Sequence, residues 1–278
     1  MLAAIARLDA EHPIDLAPTF LGAHAIPAEY KGREDAYTDL VVNEMLPAIA
    51  ECGTGNAESN PKSEFPTPNF VDVFCEDGAF TLAQSRRILE KAKELGFALK
   101  IHVDEFEPLG GTRLGVELGA VSVDHVVTTP PEEIELLGRS DTIAVSLPGT
   151  PFGLAHRDYT PARAIVAAGG ALALATDINP GTTWNESMQL IAAVACRYLK
   201  LTQAQALAAA TINAAHAIGR GGSIGSLEKG KQADLLIMDV SDYRSIGYRY
   251  GTNLVRSVIK RGQIVYQASC PAEGWDTA

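Results

Sequence analysis

Ala98-Leu99-Lys100-Ile101-His102-Val103-Asp104-Glu105 is the stretch that decides the fold of this 278-residue chain. Its apolar, partly β-branched run predicts a strand over Ala98–Val103, and the strand ends in ligand-type side chains rather than in a glycine-rich turn. Period-two alternation puts Lys100, His102 and Asp104 on one side and Ile101 and Val103 on the other. Glu105 follows three residues after His102. Alone, such a histidine reads equally well as a hydrogen-bonded core residue beside a surface acid, so its neighbours must decide.

Five further apolar runs flank it: Ile14–Leu21, Phe70–Cys75, Val121–Val127, Thr142–Leu147 and Ala171–Thr176. Between the runs lie stretches with helical spacing, over Thr81–Leu95, Leu109–Leu118, Pro131–Leu137 and Pro161–Ala168. Strand–helix alternation predicts parallel strands joined by helical crossovers, in an open doubly wound sheet or a closed barrel. Neither G-x-G-x-x-G after the first strand nor G-x-x-x-x-G-K-[ST] occurs, so the phosphate loops of open sheets are absent. Polar residues instead follow one strand after another: His24 after Phe20-Leu21-Gly22-Ala23, Asp124-His125 within the fourth run, and Asp177 after Ala171–Thr176. That favours an α/β fold of TIM-like (β/α) barrel type, in which working groups come from the C-terminal ends of several strands.

Beyond the sixth run the texture changes. Asn185–Leu199 and Thr202–Ile218 read as helices, the second with Thr202 as N-cap and Gly219 as C-terminal stop. From Gly221 onward the short runs Ala233–Met238, Leu254–Lys260 and Gln263–Tyr266, with a Lys260-Arg261-Gly262 turn, predict a small β appendage. The expected division is therefore a barrel over 1–220 and a β segment over 221–278.

Composition narrows the function classes. A hydrophobic fraction of 46% allows a sizeable core, while the apolar stretches are too short to cross a bilayer. A net charge of -11 argues against nucleic acid or an anionic membrane as partner and otherwise reads as a solubility feature. Cys52, Cys75, Cys196 and Cys270 form no C-x-x-C pair, and no signal segment opens the chain, which fits a reduced cytoplasmic setting.

Four strand ends carrying His or Asp are hard to explain by packing, because burying such groups is costly unless they are paired or bind metal. Imidazole with carboxylate favours zinc or iron over calcium or magnesium. Such an ion acidifies bound water and polarises a carbonyl, and a second group must then move protons. His102 and Asp177 are the natural ligands, with Glu105 and His125 the proton-handling pair. His12 and His156 sit in polar loops and His216 in an alanine-rich helix. The acids Glu132, Glu133 and Glu135 read as a solvated helix face.

These motifs carry a resemblance. Phe20–Pro27, Lys100–Phe106, Val123-Asp124-His125 and Ala175–Thr182 resemble imidazolonepropionase, of the amidohydrolase superfamily, and Gly225–Leu235 is similar to the β-sandwich return of that superfamily. The resemblance implies a metal-dependent amidohydrolase barrel with a small C-terminal β-sandwich segment. It implies hydrolysis of 4-imidazolone-5-propanoate to N-formimidoyl-L-glutamate in histidine degradation, with one zinc or iron ion. It makes His102 and Asp177 metal ligands and Glu105, His125 and Asp177 the catalytic groups. His24, Glu105, Asn179, Gly181 and Thr182 become substrate contacts, and a homodimer is implied. Alternatives are another amidohydrolase, such as a nucleobase deaminase, or a catalytically silent barrel remnant.

The family opens with a first barrel strand bearing H-x-H, and no H-x-H occurs in this sequence. Strand order makes Ile14–Leu21 resemble the third barrel strand. The expectation is thus a chain lacking the first strands of the barrel and holding metal weakly.

Overall fold

The computed structural model describes residues 2–53 and 69–269. Six parallel strands form one sheet in the order β1-β2-β3-β4-β5-β6: Thr19–Ala23, Phe70–Cys75, Ala98–Val103, Ser122–His125, Ile143–Ser146 and Leu172–Leu174. A doubly wound sheet reverses its strand order at a switch point, whereas this order never reverses, as in a (β/α) barrel. Among the described residues, β1 and β6 are the sheet edges.

Helices α1 (Leu2–Glu11), α2 (Glu34–Leu40) and α3 (Leu46–Gly53) lie in the first quarter of the chain. The crossovers carry α4 (Leu82–Glu94), α5 (Gly111–Leu118), α6 (Pro131–Leu137), α7 (Gly149–Gly153) and α8 (Ala162–Ala167). Helix α4 starts at a capping box in which the Thr81 hydroxyl accepts from Gln84 N and the Gln84 side chain accepts from Thr81 N. Ile88, Leu89 and Ala92 on its inner face are fully buried. Helix α5 approaches the sheet closely because it presents glycines: a Cβ on Gly111 would stand 2.6 Å from Val103 Cγ1, and one on Gly115 2.5 Å from Val123 Cγ1. Ile101, Val103 and Val123 therefore face the helices, and Lys100 and His102 face the opposite side, as alternation predicts.

Three expectations need correction. The first strand is Thr19–Ala23 rather than Ile14–Leu21, with Ile14 59% exposed. Pro13 and Pro18 cannot donate to a ladder, and Asp15 is drawn instead into a cluster of cations. Asp104 does not share a face with Lys100 and His102: at φ 52 the chain turns, and its carboxylate accepts from Thr112 Oγ1 at 2.6 Å and Thr129 Oγ1 at 2.7 Å. Glu133 is not solvated. It is buried and accepts from Arg113 N at 2.9 Å, satisfying an otherwise unpaired amide in the first turn of α5.

After β6 come α9 (Met188–Tyr198), α10 (Gln203–Ala208), a π-helical turn over Ala209–Asn213 and α11 (Ala214–Ala217). Thr202 caps α10 and Gly219 has φ 70, as the sequence predicts. A separate antiparallel sheet holds β7 (Leu235–Met238), β8 (Val255–Lys260) and β9 (Gln263–Gln267), with Arg261 and Gly262 in left-handed conformations at the hairpin turn. Cys75 and Cys196 are free thiols, and Cys270 lies outside the described residues. No helix among the described residues is long and apolar enough to cross a membrane.

Asp15 ties the segment before β1 to this small sheet. Its carboxylate accepts from Lys260 Nζ at 2.8 Å, from Arg220 at 2.9 Å and from Arg261, while Lys260 also reaches Asp234 at 2.5 Å. Burial would raise the Asp15 pKa, but the hydrogen bonds and charges of Lys260 and Arg220 hold it well below the usual carboxylate range. Asp15 stabilises the fold fully above its ordinary pKa, and that contribution is lost only as the pH falls toward its depressed folded value. Replacing Asp15 by Ala strands partly buried cations and is expected to cost roughly 2–4 kcal/mol, read as a lower urea midpoint.

Candidate active site

The polar strand ends meet at the C-terminal end of the sheet. His102, the penultimate residue of β3, places Nδ1 2.9 Å from Asp72 Oδ1 on β2, which leaves Nε2 for a proton or a metal. Its ring lies 5.4 Å from the His24 ring and 5.2 Å from the His125 ring. His24 follows β1 at the open rim and stacks on Phe74 at 5.1 Å. The Tyr37 hydroxyl donates to Gly22 O at 2.7 Å and pins the strand end before it.

Alternation alone would turn His125 away from the pocket, since Asp124 already faces inward and receives the Ser122 hydroxyl at 2.7 Å. The left-handed backbone at His125 (φ 77) and Val126 (φ 47) turns it back. Such backbone costs on the order of 1–3 kcal/mol per residue and persists where function holds it. His125 Nε2 then lies 3.5 Å from Glu105 Oε2.

Asp177 also has a left-handed backbone, φ 52, and its Oδ2 accepts from Thr150 Oγ1 of α7 at 2.5 Å. Asn179 organises the loop that follows. Its Oδ1 accepts from Gly181 N at 2.9 Å and Thr182 N at 2.8 Å, and its Nδ2 donates to Asp177 O. Helix α7 seats this loop through Gly153, where a Cβ would stand 2.3 Å from Thr182 O. Gly153→Ala is therefore expected to displace the 177–182 loop and cost about 1–3 kcal/mol, measured as a fall in thermal midpoint.

Electrostatics differentiates the groups. Burial alone would lower the His102 pKa, but the charge and hydrogen bond of Asp72, with Asp124 and Asp177 adding, hold it up at about 9. Burial raises Glu105 to about 7, with His102 opposing and Asp177 and Glu76 assisting. His125 is lowered well below its ordinary value by burial and by the neighbouring His102 and His24. Partial enclosure and His102 lower His24 as well. The pocket thus sets a carboxyl group that titrates near neutrality against a neutral imidazole, the pairing expected of proton-transfer groups.

The structure brings His24, His102, Glu105, His125 and Asp177 to one end of the sheet, with Asn179, Gly181 and Thr182 on the adjoining loop. Three supporting residues escaped the sequence reading. Asp72 and Glu76 belong to β2 and its end, and the signal for them was an acid inside and just after an apolar strand. Thr150 carried no signal. Among the described residues, one ligand atom each of Asp72, His102 and Asp124 lies within 4.8 Å of the others. The donor chemistry fits zinc or iron: an imidazole backed by a carboxylate, beside further carboxylates, is the usual setting of a metal-bound histidine.

Comparison with known proteins places the chain among its relatives. The chain is 58% identical over 265 residues to an imidazolonepropionase of Herpetosiphon aurantiacus, and 51% identical over 264 residues to one of Chloroflexus aggregans. Each match covers 95% of this chain and 61% of the relative, so the chain spans about three fifths of the length of these curated proteins. Among solved structures, a zinc-bound adenosine deaminase of Xanthomonas campestris is similar in fold, with TM-score 0.65 and 22% identity over 93% of this chain and 62% of that one. The sequence pattern of the Amidohydrolase family matches residues 74–265, from the end of β2 through every strand-end group described above except His24 and Asp72, and the chain belongs to that family.

Proposed function

We propose that this site serves hydrolysis of the cyclic amide 4-imidazolone-5-propanoate to N-formimidoyl-L-glutamate, the reaction of histidine degradation. The observation that carries the reading is the pairing of Glu105, with a pKa near 7, and neutral His125 at 3.5 Å in the pocket that also holds His24, His102 and Asp177. Likeness to imidazolonepropionases over 95% of the chain supports the choice of substrate.

His102 through Nε2 and Asp177 are the residues that would hold a zinc or iron ion. When bound, the ion would supply Lewis acidity toward the ring carbonyl and acidify a water. The chain's own groups do the rest. Asp177 accepts the proton of the attacking water. Neutral His125 donates to the carbonyl oxygen as charge builds there, with His24 contacting the ring from the rim. Protonated Glu105 delivers its proton to the ring nitrogen as the C–N bond breaks. Asn179 holds the loop whose Gly181 and Thr182 line the substrate. In this reading residues 1–220 form the barrel unit and 221–278 the β-sandwich segment, in a cytoplasmic protein that forms a homodimer.

Loss of 4-imidazolone-5-propanoate absorbance on adding the metal-loaded chain tests the reading. Ammonia release from an aminopurine without that loss would point to a deaminase. One observation favours a second reading, a binding module without turnover. Asp177 is engaged by Thr150, and the ligand atoms clustered with His102 are those of Asp72 and Asp124. Stoichiometric metal without turnover would select it.

A further inference from the structure

Glu76 has no part in the chemistry above, yet it is the most heavily engaged carboxylate near the pocket. It follows β2 directly and is 2% exposed. Its Oε2 accepts from Glu105 N and Phe106 N, each at 3.0 Å, and its Oε1 from Glu107 N at 3.0 Å and Asp77 N at 3.1 Å. Three successive amides of one loop thus converge on a single carboxylate. Such charge-assisted bonds are about twice as strong as neutral ones, and a curved run of amides is a ready anion cradle.

Apart from an edge-on contact of the Phe106 ring with His156, centroids 6.0 Å apart, the loop side chains are lightly held. Phe106 is 44% exposed, and the Glu107 side chain lies in solvent. Asp104 anchors the loop on one side through Thr112 and Thr129. Beyond it, among the described residues, Glu76 is the acceptor for the Glu105, Phe106 and Glu107 amides, the backbone from which the Glu105 side chain reaches His125. The parallel register explains the meeting: Cys75 pairs with Val103, so the residues after β2 and β3 emerge side by side.

We propose that Glu76 is a positioning residue, whose carboxylate fixes the Glu105–Glu107 backbone and thereby aims the Glu105 carboxyl at its place in the pocket. The catalytic consequence rests on the function proposed above, whereas the clamp itself does not.

Two measurements separate the ideas. In hydrogen exchange on the unaltered chain, the amides of Glu105, Phe106 and Glu107 are expected to exchange as slowly as those of β3, although they lie in a surface loop. Fast exchange there overturns the clamp without any variant. In Glu76→Gln an NH₂ group faces amide donors in place of one oxygen. Exchange at the three amides should rise at least tenfold while α4 amides stay unchanged, and zinc affinity should stay within twofold. Unchanged exchange at 105–107, or an equal rise throughout the barrel, overturns the proposal. With 4-imidazolone-5-propanoate as probe, Glu76→Gln should lower kcat about tenfold with little change in KM. A change in KM alone counts against a role in aiming Glu105. An unaltered chain that turns over no substrate speaks against the proposed function and leaves the exchange result to decide the clamp.

Discussion

Glu105→Gln is expected to lower kcat on 4-imidazolone-5-propanoate by roughly two to four orders of magnitude, the usual worth of a positioned general acid. Gln keeps the size and hydrogen-bonding reach of the side chain but has no proton to release. The effect should therefore fall on kcat far more than on KM. The pH profile carries the sharper test. Burial holds the Glu105 carboxyl at about 7, so it is protonated below that pH and ionised above it. A proton donor works in its protonated form, and turnover should fall as the pH rises through about 7, a limb that Glu105→Gln abolishes. A limb that rises with pH would assign Glu105 instead to orienting the ring nitrogen as an ionised acceptor.

Metal uptake should depend on pH with the opposite sign, and Asp72 should control the dependence. His102 stands at about 9 without metal, because the Asp72 carboxylate outweighs burial. A ligand nitrogen must be free of its proton, so uptake releases one proton below that pH. Zinc affinity of the chain should therefore rise about tenfold per pH unit between pH 7 and 9 and then level off. Asp72→Asn removes the main influence that raises His102, leaving burial to lower it, and it also removes the carboxylate that orients the ring. At pH 9 the variant should bind zinc about 10–100-fold more weakly, the usual cost of losing such a partner. Toward pH 6 the gap should narrow, because the variant no longer competes with a proton. Titration calorimetry in two buffers of different ionisation enthalpy would count the protons. Parallel pH profiles for the two proteins would remove Asp72 from the site.

Several supporting contacts could not be read from sequence, for reasons that differ. Asp72 and Glu76 were visible as acids in and after an apolar strand, but their partners lie about thirty residues away, His102 for one and the Glu105–Glu107 amides for the other. Spacing along one strand says nothing about which residue of the next strand stands opposite. Thr150 gave no signal, since a threonine in a five-residue helix is ordinary until the fold sets it against Asp177. Asp104 and Glu133 were misplaced for a related reason. Alternation applies only while the backbone stays extended, and at φ 52 the rule lapses for Asp104. Glu133 looked like one of several surface acids, until α5 brought the Arg113 amide to it.

The sequence by itself determined the strand–helix alternation, the parallel sheet and the row of His and Asp residues at strand ends. These are local properties: side-chain period, capping and turn chemistry are written within a few residues of one another. Tertiary structure alone decided how those residues work. It turned His125 into the pocket through a left-handed backbone and set Asp72 behind His102. It raised Glu105 toward neutrality by burial and locked Asp15 to Lys260 across 245 residues of chain. Desolvation and charge–charge energies depend on distance through space, and only the folded chain fixes those distances.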